Sequence, residues 1–411
     1  MVSKKITIIF ILIAICITFV GTAVMSSFVS ISLYKNQKTD SDDIFNDVTI
    51  DDLDKFNEVK SILKKDYYKN VEDSDLLEGA IGGMAESLED PYTVYYDKEE
   101  MEEFNKVSQN TEDTYVGIGV QVYMDENGIL TVIEPFEASP AIKEGIKSGD
   151  KIIEVDGKDV TTIKDEDVII NMIKGVENTD VKITVYRPSE KQNVEFKIKR
   201  KKMTVVLNIR SKILEDDIGY IKLSVFDNDI FNNFKAELEK LKDKNIKGLV
   251  IDVRNNPGGL YNEVVNMANY ILPKGVIVST EDRNGTVEKE MSDANELDMP
   301  LTILVNENSA SASEILAGSV QDYKKGTIVG TTTFGKGLVQ TTKSFKDGSG
   351  IKLTISRYFT PKGVCIHEKG IKPDVIVKLD EKYDNEPLSL IPEAEDKQLQ
   401  KAIEVIEKEI K

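Results

Sequence analysis

The segment Gly248–Arg254, GLVIDVR, constrains the fold more than any other stretch of this 411-residue chain. It is continuously apolar through its middle instead of alternating, as expected of a parallel strand covered on both faces. Its surroundings repeat the theme. Across residues 203–375, IGYIKLSVF, KGLVIDVR, PLTILVN, GTIVGT and GIKLTISRYFT read as strands, with FNNFKAELEKLKD, GGLYNEVVNMANYIL and SASEILAGSVQDY as the helices between them. Strand and helix in alternation predict an α/β core over 203–375.

The rest of the chain divides by composition. From Ile6 to Tyr34 there is no charged residue, and Lys4 and Lys5 precede the run. As helix it would cover roughly 43 Å, enough to cross a hydrocarbon core of ~30 Å. The expectation is a transmembrane signal anchor over residues 1–34, with the lysines on the cytoplasmic side. That makes a single-pass cell-membrane protein whose bulk is extracytoplasmic. Gly21-Thr22-Ala23 offers a cleaved signal peptide as the alternative, but the apolar run continues to Leu33. Residues 35–50 are polar and acidic and read as a tether. Residues 51–110 carry helical periodicity (Leu53, Phe56, Val59, Ile62, Leu63) and read as a small helical packing or dimerisation module. Residues 115–202 change to short strands and two helices, a compact β-rich domain. Residues 376–411 form an acidic tail ending in a helix, DKQLQKAIEVIEKEI.

Charge and composition exclude several functions. A net charge of −19 opposes nucleic-acid binding. No clustered His/Cys set suggests a metal, and no phosphate loop suggests a nucleotide, so no cofactor is expected. The two cysteines, Cys16 and Cys365, lie at opposite ends, and no intramolecular disulfide is expected.

The chemistry concentrates in three glycine- and serine-rich turns. Only one histidine, His367, is present in the whole chain, which nearly removes a Ser-His route to an activated nucleophile. A lysine can take the hydroxyl proton instead, provided it is held neutral. Ser311, in NENSASASEILAG, follows the strand PLTILVN where a helix should begin. Ser311 and Glu314 also fit a capping box, and a helix start presents N–H groups to an oxyanion as well. Ser309 and Ser313 flank it, and position does not choose among the three. Lys336 lies 25 residues on, between Gly335 and Gly337 in TTTFGKGLVQ. Alone it reads as an exposed loop lysine; burial among apolar neighbours would lower its pKa. Gln340 would stand about 13 Å from Lys336 along a straight strand; a helical turn, or a bend at Gly337, would bring them together. The third turn is Asn255-Asn256-Pro257-Gly258-Gly259, at the carboxyl end of GLVIDVR, where α/β sheets form their sites.

Two resemblances rest on these residues. The Gly117-Ile118-Gly119-Val120 loop, the run GIKSGDKIIEVDG and the later helix resemble a PDZ domain over 115–202, in its circularly permuted bacterial form. Such domains add a peptide as a strand to a sheet edge and hold its carboxylate on the glycine loop. IDVRNNPGGL, NENSASASEILAG, TFGKGLVQ and TPKGVCIHEKGIKPDV, in that order, resemble the carboxy-terminal processing peptidases, and GMAESLEDPYTVYY resembles their N-terminal helical region. The resemblance implies an α+β multidomain architecture: membrane anchor, helical module, PDZ domain and a ClpP/crotonase-like α/β protease core. It implies a serine endopeptidase that recognises protein tails ending in apolar residues and cleaves with a Ser-Lys dyad. Carried over residue by residue, Ser311 is the nucleophile, Lys336 the general base and Gln340 its orienting partner. Gly258 and Ala312 would supply the oxyanion N–H groups. One position departs from the family pattern: Lys174-Gly175 stands where the family commonly has Arg-Gly, and a lysine cannot make a bidentate guanidinium contact. The rival readings are a PDZ adaptor or pseudoprotease that binds tails without cutting, and a crotonase-like acyl-CoA enzyme. The presence of both Ser311 and Lys336 opposes the first; the export segment and PDZ pattern oppose the second.

Overall fold

The computed structural model describes residues 49–108, 114–125, 127–136, 139–163, 166–204, 208–293, 296–383 and 386–410. These fall into two units that divide between Gly79 and Ala80. The expected anchor over 1–34 lies outside the described residues, as does nearly all of the tether. Among the described residues, no helix is long and apolar enough to cross a membrane.

In the first unit, helix α1 (Ile50–Asp66) begins at a capping box. The Thr49 hydroxyl accepts the Asp52 N–H, and the Asp52 carboxylate accepts the Thr49 N–H. Lys60 and Lys64 both reach Asp73 at the head of helix α2 (Asp73–Glu86). No residue of α1 is buried. Leu53, Phe56, Val59 and Leu63 leave an exposed apolar stripe at helical spacing.

In the second unit, strand β1 (Val94–Tyr96) and helix α3 (Lys98–Ser108) lead into the β-rich domain. Its elements are β2 (Thr114–Gly117), β3 (Val120–Met124), β4 (Leu130–Pro135), α4 (Pro140–Glu144), β5 (Lys151–Val155), β6 (Lys158–Asp159), α5 (Glu166–Ile173), β7 (Asp180–Arg187), β8 (Gln192–Lys199) and β9 (Lys201–Thr204). The sequence pattern reads TYVGIGVQVYM as one strand, but the chain breaks it at Ile118-Gly119. There β2 departs to pair with β9, while β3 becomes the edge of the sheet β3-β4-β5-β7-β8. Gly119 makes the break at φ 80°, and a Cβ there would meet the Ser139 Cβ at 2.5 Å. On β7, Val181, Ile183 and Val185 alternate inward onto Ile152, Ile169 and Ile198. Arg187 clamps Asp150 through two 2.7 Å bonds where this sheet meets α4.

The core follows as β10 (Ile209–Ile213), β11 (Ile218–Leu223), α6 (Ile230–Lys242), β12 (Gly248–Asp252), α7 (Tyr261–Ile271), β13 (Gly275–Asp282), β14 (Val287–Ser292), β15 (Leu301–Val305), α8 (Ala312–Tyr323), β16 (Thr327–Gly330), β17 (Leu338–Ser344), β18 (Gly350–Phe359), β19 (Val375–Ile376) and α9 (Lys397–Ile410). The central sheet runs β10-β11-β12-β15-β16-β19, parallel except for β10. All five residues of β12 are buried. Leu249 and Ile251 face the core built on α6, α7 and α8, while Val250 faces the opposite core. That opposite core is completed by α9: Leu399, Ala402 and Ile406 pack on Val250, Leu304 and Val329. The C-terminal tail is therefore one of the layers covering the sheet, because GLVIDVR needs apolar partners on both faces.

A second, antiparallel sheet was not legible in the strand pattern. It runs β1-β18-β13-β14, with β17 on the other edge of β18. Val94, Tyr95 and Tyr96 pair with Lys352, Ile351 and Gly350, so the segment before α3 is stitched to the sheet that carries β17.

The tail also anchors a charge network under the sheet. Arg254 is buried between Asp252 and Asp396, with Nη2 at 2.7 Å and 2.9 Å from their carboxylates. Burial raises the Asp252 pKa, but the Arg254 charge and then Lys222 outweigh it and hold the carboxyl well below the usual range. Asp396 also accepts the Leu399 N–H at the head of α9. Asp396→Ala removes a buried ion-pair partner and a helix cap together. We expect it to lower unfolding stability by about 3 kcal/mol, read from denaturant midpoints, with Asp396→Asn falling between the two.

Candidate active site

Three loops converge at the carboxyl ends of the neighbouring parallel strands β12, β15 and β16: residues 253–260, 306–311 and 331–337. The first two are locked by buried amides. Asn306 Oδ1 accepts the Asn255 N–H at 2.8 Å, and Asn306 Nδ2 donates to Asn255 Oδ1. Ser309 Oγ donates to the Val253 carbonyl at 2.7 Å and accepts the Asn306 N–H. Ser313 Oγ donates to the Asn256 carbonyl at 2.9 Å, which also takes the Ala310 N–H. Ser309 and Ser313 are fully buried and tied into the scaffold. Ser311 is half-buried, between them.

The Ser311 backbone lies at φ 53°, ψ −113°, immediately before α8. For a non-glycine residue that is a strained conformation, which persists only where the surroundings fix it. The chief fixing group is Glu314. Its carboxylate is fully buried in α8 and receives four donors: Ser311 N–H at 2.9 Å, Lys336 N–H at 2.9 Å, Gly335 N–H at 2.7 Å and Thr333 Oγ–H at 2.6 Å. Burial pushes the Glu314 pKa up, opposed by these four hydrogen bonds. Tyr358 mirrors this arrangement from the other side, its hydroxyl lying against the carbonyls of both Ser311 and Lys336. The serine turn and the lysine turn are thus held together through their main chains.

Lys336 itself points its Nζ over the Tyr92 ring, 4.4 Å from the centroid. Both residues line a cavity of about 240 Å³ with Tyr123, Met124, Glu166 and Phe334. Gln340 is on β17, beside a bulge between Val339 and Gln340, and its Nε2 donates to Thr354 Oγ1 at 3.4 Å. The oxyanion candidates do come together: a Cβ on Gly258 would sit 2.8 Å from the Ser311 Cβ and 3.0 Å from the Ala312 nitrogen. Only glycine fits there, at φ 108°. The Gly258 N–H, however, is engaged by Asn256 Oδ1 at 2.9 Å, an Asx turn across Pro257. Ala312 opens α8, so its N–H is one of those that a helix leaves without an intrahelical partner.

In the β-rich domain, Gly117, Ile118 and Gly119 are buried and Val120 is half-buried, with Met203 and Ser139 packed against Gly119. Lys174 follows the last turn of α5, and its N–H donates to the Ile170 carbonyl. A guanidinium does occupy this corner, from Arg200, which lies against Gly175 and donates to the Ile173 and Met172 carbonyls that end α5.

The chain matches the models of Peptidase family S41 over residues 217–377, the PDZ domain over 116–209 and the activating protease CtpB N-terminal domain over 11–100. It is 38% identical over 364 residues to a CtpA-like serine protease of Staphylococcus aureus (strain COL), covering 87% of this chain and 71% of that protein. The carboxy-terminal processing protease CtpA of Bacillus subtilis (strain 168) is 36% identical over 329 residues, covering 80% and 69%. The chain belongs to the carboxy-terminal processing peptidases. Among solved structures, the photosystem II D1 C-terminal processing protease aligns with a TM-score of 0.66 at 29% identity, over 79% of this chain and 86% of that one. This peptidase is accordingly a serine-type endopeptidase with a PDZ domain.

Several groups that build the site of this peptidase were not assigned from sequence. Glu314 was legible as a cap, and the further signal was there: it is the one charge between Ser311 and Val320. Tyr92 and Tyr358 carry no such local mark, because their partners are distant in the chain. Glu314→Gln keeps the shape but offers one acceptor oxygen, leaving two of the four donors facing an NH2 group. Steady-state kinetics on a cleaved peptide should show kcat falling by about 10²-fold with KM nearly unchanged, since the loss is of alignment and not of substrate contact.

Proposed function

We propose that this peptidase cleaves polypeptides by a Ser311-Lys336 dyad, near C-terminal tails captured by its PDZ domain, on the outer side of the membrane that holds it. The observation that carries this reading is the single buried Glu314 carboxylate, which receives the N–H groups of both Ser311 and Lys336. Two turns 25 residues apart are thereby held side by side, as a nucleophile and its base must be. The full bonding of Ser309 and Ser313 to the scaffold further favours Ser311.

In the reaction, the Ser311 hydroxyl attacks the scissile carbonyl while neutral Lys336 takes its proton. The oxyanion turns toward the Ala312 N–H and the Gly258 N–H, the latter released by a turn of the Asn256 side chain. Lys336 returns the proton to the departing amine, then accepts one from the water that hydrolyses the acyl-enzyme. Gln340 orients the amine from β17. No metal or cofactor enters.

Tail capture is assigned to the Gly117-Ile118-Gly119-Val120 loop and the free edge of β3, with Lys174 at the end of the flanking helix. The supporting observation is that β3 lies at the edge of its sheet while Val122, Tyr123 and Met124 line the cavity containing Lys336. That lining favours apolar tails. Anchoring by residues 1–34 with the catalytic part extracytoplasmic rests on the uncharged run after Lys5. The exposed stripe of α1 favours a homo-oligomer.

The test is intact-mass analysis of an unstructured protein with an apolar C-terminus, incubated with parent, Ser311→Ala and Lys336→Ala. Each substitution should lower cleavage on the order of 10³-fold or more. Undiminished cleavage by either variant would remove that residue from the mechanism.

A further inference from the structure

We propose that the Tyr92 ring is a resting seat for the Lys336 ammonium and thereby sets the pH at which this peptidase becomes active. The inference rests on the reading of Lys336 as the general base. A base must be neutral to work, yet a lysine over an aromatic face is stabilised in its charged form.

Lys336 Nζ lies 4.4 Å from the Tyr92 centroid, well inside cation–π range. The ring is held there firmly. The Tyr92 N–H and the Thr93 hydroxyl both donate to Asp90, the Thr354 N–H donates to Thr93 Oγ1, and Val94 pairs with Lys352 of β18. The segment that carries the ring is therefore fastened to the same sheet as Gln340, whose amide reaches Thr354. Burial, with Glu166, Asp90 and Glu314 adding to it, pushes the Tyr92 phenol up to about 12. Across the working range Lys336 thus meets a neutral π face and not a phenolate.

Other charges face the same space. Glu166 of α5 and Asp125 after β3 line the cavity, Asp125 being paired with Lys151, and both favour a charged lysine. Lys352 of β18 also lines it and opposes one. Glu314 and the Tyr358 hydroxyl meet the Lys336 main chain, and the His367 backbone packs on Gly337. Tyr92 presents its ring to the amine itself.

The test is the rate of Ser311 labelling by an alkyl fluorophosphonate as a function of pH, on the full chain in detergent. The label forms an O–P bond at Ser311, expels fluoride and passes the serine proton to the base. Removing the ring weakens the hold on the Lys336 proton, so in Tyr92→Leu the acid limb should move down by about one pH unit, with labelling on that limb about tenfold faster. Tyr92→Phe, which keeps the face, should retain the parental limb, and Tyr92→Trp should move it up. The Phe and Trp variants keep the test decisive if Tyr92→Leu does not fold. An unmoved limb in Tyr92→Leu, an equal shift in Tyr92→Phe, or a shift confined to Glu166→Gln would each overturn the seat. Labelling lost at every pH in Lys336→Ala supports the base assignment. Labelling with the parental limb in Lys336→Ala would instead overturn that assignment, and the seat with it.

Discussion

A buried carboxylate with four donors is a demanding thing to build, and the protease core is arranged around one. Glu314 sits in α8 without exposure to water, so each of its lone pairs must find a partner inside the protein. It finds them in the two turns that matter, at the ends of β15 and β16. A parallel sheet is what makes this possible, because adjacent strands deliver their carboxyl-terminal loops to the same edge. Gly330, at φ 137°, lets β16 leave the sheet within touching distance of the Val305 carbonyl, which no residue with a Cβ could do. The strained Ser311 backbone and the FGKG turn are then consequences of a single electrostatic requirement.

The same arrangement joins the serine turn and the lysine turn through their main chains. Main-chain contacts through Glu314, Tyr358 and the Asn255–Asn306 pair are complete. By contrast, the Gly258 N–H is turned to Asn256, and the Lys336 amine lies over Tyr92. The edge strand β3 shares the cavity wall with Lys336, and Tyr123 packs edge-on to Phe334.

Much of this was legible in the chain itself, and the boundary has a physical cause. GLVIDVR announced a doubly covered parallel strand, and all five residues of β12 are buried. The PDZ-like order of strands and helices is also present as read. The three turns that converge at the ends of β12, β15 and β16 could be located because glycine, serine and lysine cluster there against an apolar background. What the sequence did not reveal depends on long-range partners. The strand pairing of Val94–Tyr96 with β18, the packing of α9 under the central sheet and the Tyr92–Lys336 contact join residues far apart in the chain. Of the antiparallel strands, β14 is mostly exposed and polar, and β13 and β17 are half-buried over most or much of their length, so their hydrophobic pattern was weak. The break at Gly119 was hidden because alternation continued across it.

The central claim is that Ser311 and Lys336 work as one unit whose geometry is imposed through Glu314. The most direct measurement is to react the protein with an alkyl fluorophosphonate, digest it and locate the adduct by tandem mass spectrometry. The account predicts one modified residue, Ser311, with Ser309 and Ser313 unlabelled because their hydroxyls are bound into the scaffold. An adduct on Ser309 or Ser313, or on a serine outside this turn, would contradict it.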